Sequence, residues 1–202
     1  DASYGGGFIT YIRNNVITGN SNFSNNGTNT FAEANVPGTG NIYNGNVTFT
    51  GGGAGNLFIG YGAPLQCTGN LNINRTVAGL TSAFNSGAVI GGNFTYTNNS
   101  AGETGFGNLA NKTSIGGTIN ITANFTTPNN FGMHRLVNQT DGGSITVTNS
   151  LGFSVQNDTL LFTSMNIIGY RGGQYASLFN NNINGNINIA DDASFGGGYT
   201  TN

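Results

Sequence analysis

Asp191 stands beside Asp192, and His134 beside Arg135; by type, these residues come nearest to catalytic chemistry in this chain. Two carboxylates can hydrolyse a glycosidic bond only when they face each other across it. Successive residues of a strand point to opposite faces, so Asp191-Asp192 reads as a solvated corner. A polysaccharide lyase needs acidic calcium ligands with a basic residue close by. The acids Asp1, Glu33, Glu103, Asp141, Asp158 and Asp191 are instead scattered. His134 is the only histidine, and nothing nominates an orienting partner or a reacting group for it. Cys67 is the only cysteine, which excludes an internal disulfide and reads as a small core or face residue. There is no phosphate loop, CxxC or HExxH, and the triple glycines at 5–7 and 196–198 lack the aspartate of glycine-rich calcium repeats. The expectation is a non-enzyme with no catalytic residue, cofactor or metal.

The best candidate for contact is polar and uncharged. Asn46, Thr48 and Thr50 are followed by Asn70, Asn72 and Asn74, then Asn93, Thr95 and Thr97. Thr118, Asn120 and Thr122, then Ser144, Thr146 and Thr148, continue the series. On one face these side chains would form a flat hydrogen-bonding surface. Such ladders also stabilise stacked strands and keep a charge-poor rod soluble. Two functional readings stand beside that structural one: multivalent contact with polysaccharide or solid surfaces, and ordering of water as in ice-binding solenoids with Thr-x-Thr rows. Free mixing of Asn with Thr argues against the ice reading.

The elements that would position this face are short and repetitive. Gly45-Asn-Val-Thr-Phe-Thr50 returns as Gly69-Asn-Leu-Asn-Ile-Asn74, Gly92-Asn-Phe-Thr-Tyr-Thr97, Gly117-Thr-Ile-Asn-Ile-Thr122, Gly143-Ser-Ile-Thr-Val-Thr148 and Gly185-Asn-Ile-Asn-Ile-Ala190. Gly19-Asn-Ser-Asn-Phe-Ser24 precedes them, and a weaker copy lies near Met165-Asn166-Ile167-Ile168. Strict alternation is the mark of a strand with one buried face. A mid-unit aromatic recurs at Phe31, Phe58, Phe84, Phe106, Phe131, Phe179 and Tyr199, and an aliphatic closes units at Ile17, Ile42, Leu65, Ile90, Ile115 and Ile183. Three short strands per roughly 24 residues bury their apolar side chains only by stacking. The expected fold is all-β: a parallel β-helix, or β-solenoid, of about eight coils, with the aromatics stacked inside. A β-sandwich or barrel is the alternative all-β reading, but it does not require the same unit to return.

A longer period encloses the shorter one. Asp192-Ala-Ser-Phe-Gly-Gly-Gly-Tyr199 repeats Asp1-Ala-Ser-Tyr-Gly-Gly-Gly-Phe8 at an offset of 191 residues. Residues 1–191 therefore read as one long repeat and 192–202 as the start of the next. Charged residues are 6% of the chain, against roughly 25% in ordinary soluble domains. Asparagine (36) and glycine (35) fill about a third of it, yet 14 Phe and 8 Tyr recur at ordered intervals, which argues against disorder. A net charge of −2 leaves no footprint for nucleic acid, and no apolar run reaches the roughly 18–20 residues of a membrane span.

Units such as Ile42-Tyr-Asn-Gly-Asn-Val-Thr-Phe-Thr50 and Gly55-Asn-Leu-Phe-Ile-Gly60 resemble repeats of giant secreted surface proteins of Bacteroidota, including the adhesins of gliding bacteria. The resemblance implies type IX secretion, extracellular display at the cell surface, and anchoring through regions outside this segment. It also implies O-glycans at Asp-Ser/Thr-aliphatic sites, a pattern that Asp158-Thr159-Leu160 fits at Thr159. The expected function is a structural segment of a long filament or adhesin, linked to attachment or gliding motility. Its expected partners are neighbouring copies of the repeat in one long chain. A carbohydrate- or ice-binding solenoid is the alternative.

Overall fold

The computed structural model describes residues 10–34, 40–171 and 176–192. These residues hold 20 strands and no helix. The first turn comprises β1 (Thr10–Ile12), β2 (Val16–Thr18) and β3 (Ser21–Asn25), and the second β4 (Phe31–Glu33), β5 (Ile42–Asn44) and β6 (Val47–Gly51). Then come β7 (Leu57–Ile59), β8 (Leu65–Cys67), β9 (Leu71–Arg75), β10 (Thr81–Ala83), β11 (Ala88–Ile90), β12 (Phe94–Asn98), β13 (Thr104–Phe106) and β14 (Thr113–Ile115). Beyond them lie β15 (Ile119–His134), β16 (Leu136–Asn138), β17 (Ser144–Gln156), β18 (Thr159–Tyr170), β19 (Ala176–Phe179) and β20 (Asn182–Asp191). The long late strands run through a corner and so serve two faces.

Every third strand pairs in parallel with the one before it. The first face stacks β1, β4, β7, β10, β13, β15, β17 and β19. The second stacks β2, β5, β8, β11, β14, β16, β18 and β20. The third stacks β3, β6, β9, β12, β15, β17, β18 and β20. The chain is thus a three-faced parallel β-solenoid of about 7 turns, roughly 23 residues apart. The expected eight coils correspond to the strands in each face, which are joined by one fewer step.

Inward side chains form vertical rows. On the third face Phe23, Phe49, Ile73, Tyr96, Ile121, Ile145, Met165 and Ile187 follow one another in register. The Phe23 and Phe49 rings stack at 5.2 Å, and Tyr96 meets Phe106 edge-on at 4.8 Å. Burying one such ring contributes on the order of 2 kcal/mol, and the rows repeat that gain at each turn.

The expected aromatic column is only partly internal. Phe31, Phe84, Phe106 and Phe131 are buried. Phe58 instead points outward onto Tyr61, ring centroids 4.7 Å apart, because Leu57 takes the inward seat beside Phe31 and Thr81. Phe179 is largely exposed, and Tyr199 lies outside the described residues. The closing aliphatics shift likewise. Ile17, Ile90, Ile115 and Ile183 hold inward seats on the second face, but Tyr43 and Cys67 replace Ile42 and Leu65 in that row. Ile42 turns outward, and Leu65 is buried two residues earlier. Cys67 is a core residue.

One register also differs from the sequence repeat. Ile145 stacks on Ile121, not on Ile119, and Val147 stacks on Ala123. A slip of two residues keeps every side chain on its own side of the strand, so alternation alone does not reveal it.

The corners follow a rule. Ala34, Gly60, Phe84 and Gly107 directly follow the first-face strand in successive turns, and all have left-handed φ between 52° and 71°. Arg135, Asn157 and Asn180 do the same in later turns. At the corner before the third face the glycines serve close approach instead. A Cβ on Gly45, Gly69, Gly92 or Gly117 would collide with the backbone of the corner glycine one turn below.

Candidate functional site

The third face carries the Asn and Thr residues in vertical rows. One row reads Asn22, Thr48, Asn72, Thr95 and Asn120. A second reads Ser24, Thr50, Asn74, Thr97, Thr122, Thr146, Asn166 and Asn188. The two-residue slip moves Ser144 into the row of Asn120, whose Oδ1 accepts its backbone N–H at 3.3 Å. It also places Thr146 on Thr122 and Thr148 on Asn124. Successive turns are about 4.8 Å apart, and the rows lie roughly 6.6 Å apart across the strand. No charged residue interrupts these two rows.

Asn46, Asn70, Asn93 and Thr118 belong to the corner, not to this strand surface. The Asn46 backbone N–H donates to Asn20 Oδ1 at 3.2 Å, and that of Asn70 to Asn46 Oδ1 at 2.8 Å. The Asn93 N–H then donates to Asn70 Oδ1 at 2.8 Å, and the Thr118 N–H to Asn93 Oδ1 at 2.9 Å. Each side chain thereby satisfies a backbone donor that the corner removes from the strand ladder. The recurring Gly-Asn pair combines a residue thin enough for the backbones to touch with an amide that ties the turns together. Its constant spacing was the available sign of this ladder.

The strand rows differ chemically from that corner. Thr48, Thr50, Asn72, Asn74, Thr95, Thr97, Thr122 and Thr146 make no side-chain hydrogen bond within the described residues. Their donors and acceptors are turned to solvent. Other row residues do bond internally: Asn120 Nδ2 donates to Thr118 Oγ1 at 3.2 Å, Asn166 Nδ2 to Ser164 Oγ at 3.3 Å, and Thr148 Oγ1 to Asn124 Oδ1 at 3.1 Å. The arrangement can present a regular, uncharged lattice of hydroxyls and amides to an extended ligand or surface.

The ionisable residues are elsewhere. Glu33 points inward from the first face; its carboxylate accepts from Asn41 Nδ2 at 2.5 Å and from the Gly60 N–H at 2.7 Å. Burial nevertheless raises its pKa to about 7. Burial likewise raises Asp158 to about 7; its Oδ1 accepts the Leu136 N–H at 2.7 Å, while Oδ2 is buried without a partner. Sequence reasoning missed both carboxylates as interior groups, and their residue type gave no sign of it. Thr159, the candidate glycosylation site, lies half-buried in β18 between Val137 and Asn182. His134 bonds Ser154 Oγ at 2.9 Å, and burial lowers its pKa. Arg135 donates to the Leu109 and Ala110 carbonyls, both at 3.2 Å. Asp191 is exposed, whereas Asp192 pairs with Arg171 at 3.4 Å. Among the described residues, no three His, Cys, Asp or Glu side chains cluster to hold a metal. No helix there is long and apolar enough to cross a membrane.

The geometry defines a class, the parallel β-solenoids with a polar, uncharged face. No family model, curated protein or solved structure matches the chain.

Proposed function

We propose that this chain is a non-enzymatic structural segment of a long extracellular filament or adhesin at a cell surface. The observation that carries this reading is the continuous parallel pairing of all three faces over about 7 turns. Load along the axis falls on the inter-turn hydrogen bonds of three faces together, and repeated weak contacts along one rod add up to avidity. The resemblance of the repeats to Bacteroidota surface adhesins supports a setting in attachment or gliding, reached by type IX secretion. Antibodies against the chain should label intact cells that produce it, and filaments sheared from those cells should carry the same epitope. Label that appears only after the cells are broken would overturn the reading.

Outward residues such as Thr48, Thr50, Thr95 and Thr97, whose side chains make no hydrogen bond within the described residues, favour one second reading: a carbohydrate- or ice-binding solenoid that uses the third face. Retention on glycan arrays, or freezing-point hysteresis, lost on Thr97→Lys would select it. A purified chain silent in both assays would dismiss it.

A further inference from the structure

Phe58 and Tyr61 form an aromatic pair that the core does not use. Phe58 is the outward residue of β7, and its ring lies nearly parallel to that of Tyr61, 22° apart with centroids at 4.7 Å. Phe58 is half-buried and Tyr61 is 38% exposed. Packing inside the solenoid therefore does not account for the two rings. The electron-rich face of an aromatic ring attracts the polarised C–H groups of a flat, saturated ring. No charged residue lies in the two neighbouring corners, residues 60–64 and 84–87, so the pair is not placed for a charged ligand.

From Phe58 the first face continues over small residues. Ser82, Gly105, Gly132 and Ser154 follow it in register as outward residues of β10, β13, β15 and β17. A Cβ on Gly105 would meet nothing within 4 Å, and one on Gly132 only His134 Cε1 at 3.8 Å. Glycines such as Gly45 and Gly117 are pressed against the turn below, whereas these two lie open. Glycine inside a strand often marks a place where a ligand comes close. At the far end His134 holds Ser154 Oγ through Nε2 at 2.9 Å, and its Nδ1 has no partner among the described residues. Glu103, exposed directly before β13, adds a carboxylate at the margin. The result is a shallow trough, bounded by the aromatic pair and by His134. Its four steps from Phe58 to Ser154 span about 19 Å, the length of several linked sugar rings.

We propose that this trough binds a neutral, β-linked polysaccharide lying along the solenoid axis, with one pyranose ring stacked on the Phe58–Tyr61 pair. The following rings lie over Gly105 and Gly132, where no side chain holds them off. Their hydroxyls bond the Glu103 carboxylate and His134 Nδ1, a few placed polar groups beside an apolar platform. The outward row from Phe58 to Ser154 carries no cation, and Glu103 repels an acidic glycan; a neutral chain is selected on both counts. The trough lies on a different face from the Thr and Asn rows. It goes beyond the shaft reading by giving the rod a contact site of its own.

Calorimetric titration with cellohexaose and mannohexaose, both neutral and β-linked, tests the assignment beside a galacturonic acid hexamer as the acidic control. At least one neutral hexasaccharide should bind, and the acidic one should not. Tyr61→Ala, at an exposed position, should weaken binding by about tenfold. Gly105→Val puts a side chain on the open floor and should abolish binding while the melting temperature stays that of the parent. Thr97→Lys, on the third face, should bind as the parent does. Failure of both neutral sugars to bind would overturn the proposal, as would binding unchanged by Tyr61→Ala and Gly105→Val. Tighter binding of the acidic hexamer, or a loss confined to Thr97→Lys, would overturn it too. Surface labelling of cells does not depend on this trough, so any of those results would leave the shaft reading standing.

Discussion

The Arg75 side chain fills the space over Gly51 that a side chain at position 51 would occupy, and its Nη2 donates to the Gly55 carbonyl at 2.6 Å. Asn25, Gly51, Arg75 and Asn98 form one inward row of the third face. Asn25 and Asn98 each donate Nδ2 to the carbonyl four residues on, Asn29 and Gly102, at 2.8 Å. Gly51 has no such group, and Gly55 is its fourth neighbour. Arg75 therefore reaches across one turn to close the corner that Gly51 leaves open. The cost is a fully buried guanidinium whose Nε and Nη1 lack partners and whose pKa burial lowers.

The two positions should therefore be energetically coupled. Gly51→Asn alone collides with the arginine, and Arg75→Asn alone leaves Gly55 uncapped. The double variant restores an asparagine to both turns. In denaturant titrations each single change should cost about 2 kcal/mol or more, and the double should recover about 1–3 kcal/mol relative to their sum. Simple additivity would contradict the compensation.

Buried carboxylates set a pH dependence opposite to the usual acid lability. Glu33 and Asp158 are both raised to about 7 from ordinary values of 4.5 and 3.8. Between those limits the native state binds more protons than the unfolded chain, so stability is full below about pH 4 and falls as pH rises towards 7. The loss should be on the order of 3 kcal/mol per group. Glu33→Gln removes this titration but keeps only one acceptor for the Asn41 Nδ2 and Gly60 N–H donors. It should therefore lower stability at every pH and leave only the Asp158 share of the slope between pH 4.5 and 7. A profile that rises across this window would rule out both assignments.

Corner and strand asparagines should respond differently to truncation. Asn70 Oδ1 accepts a backbone N–H from the next turn, so Asn70→Ala should cost about 1 kcal/mol. Asn74→Ala, whose side chain has no internal partner, should stay within about 0.5 kcal/mol of the parent. Equal losses in thermal melts would show that the outer row is also structural.

Gly107 sits at the left-handed corner with φ 71°, and a Cβ there would collide with the His134 carbonyl. Gly107→Ala should destabilise by about 1–3 kcal/mol. Gly105→Ala, two residues earlier with open space around it, should not. Similar melting temperatures for the two variants would show that the corner yields.

Much of this architecture was legible because solenoid stacking imposes a pattern on the sequence. Alternation in Val47–Thr50 or Phe94–Thr97 reports the buried face directly, and the Gly-Asn pairs mark one corner. Register was less legible, since Ile145 over Ile121 and Ile145 over Ile119 keep the same alternation. Phe58 shows the second limit: one residue of corner length turns an inward aromatic outward. The contact rows were legible in the strand residues, whereas the role of Asn46, Asn70 and Asn93 was hidden because an outward asparagine can serve solvent or backbone. Buried Arg75, Glu33 and Asp158 depend on what the neighbouring turn supplies, which residue type does not encode.

Vertical registry is most directly tested by pulsed electron–electron distances between spin labels in the row Ser24–Asn188, placed in a Cys67→Ser background. Labels at Ser24→Cys and Thr122→Cys span four turns, and labels at Ser24→Cys and Asn188→Cys span seven. The stacked rows predict about 19 Å for the first pair and about 34 Å for the second, in proportion to the turns between them. A second distance equal to or shorter than the first would contradict the solenoid.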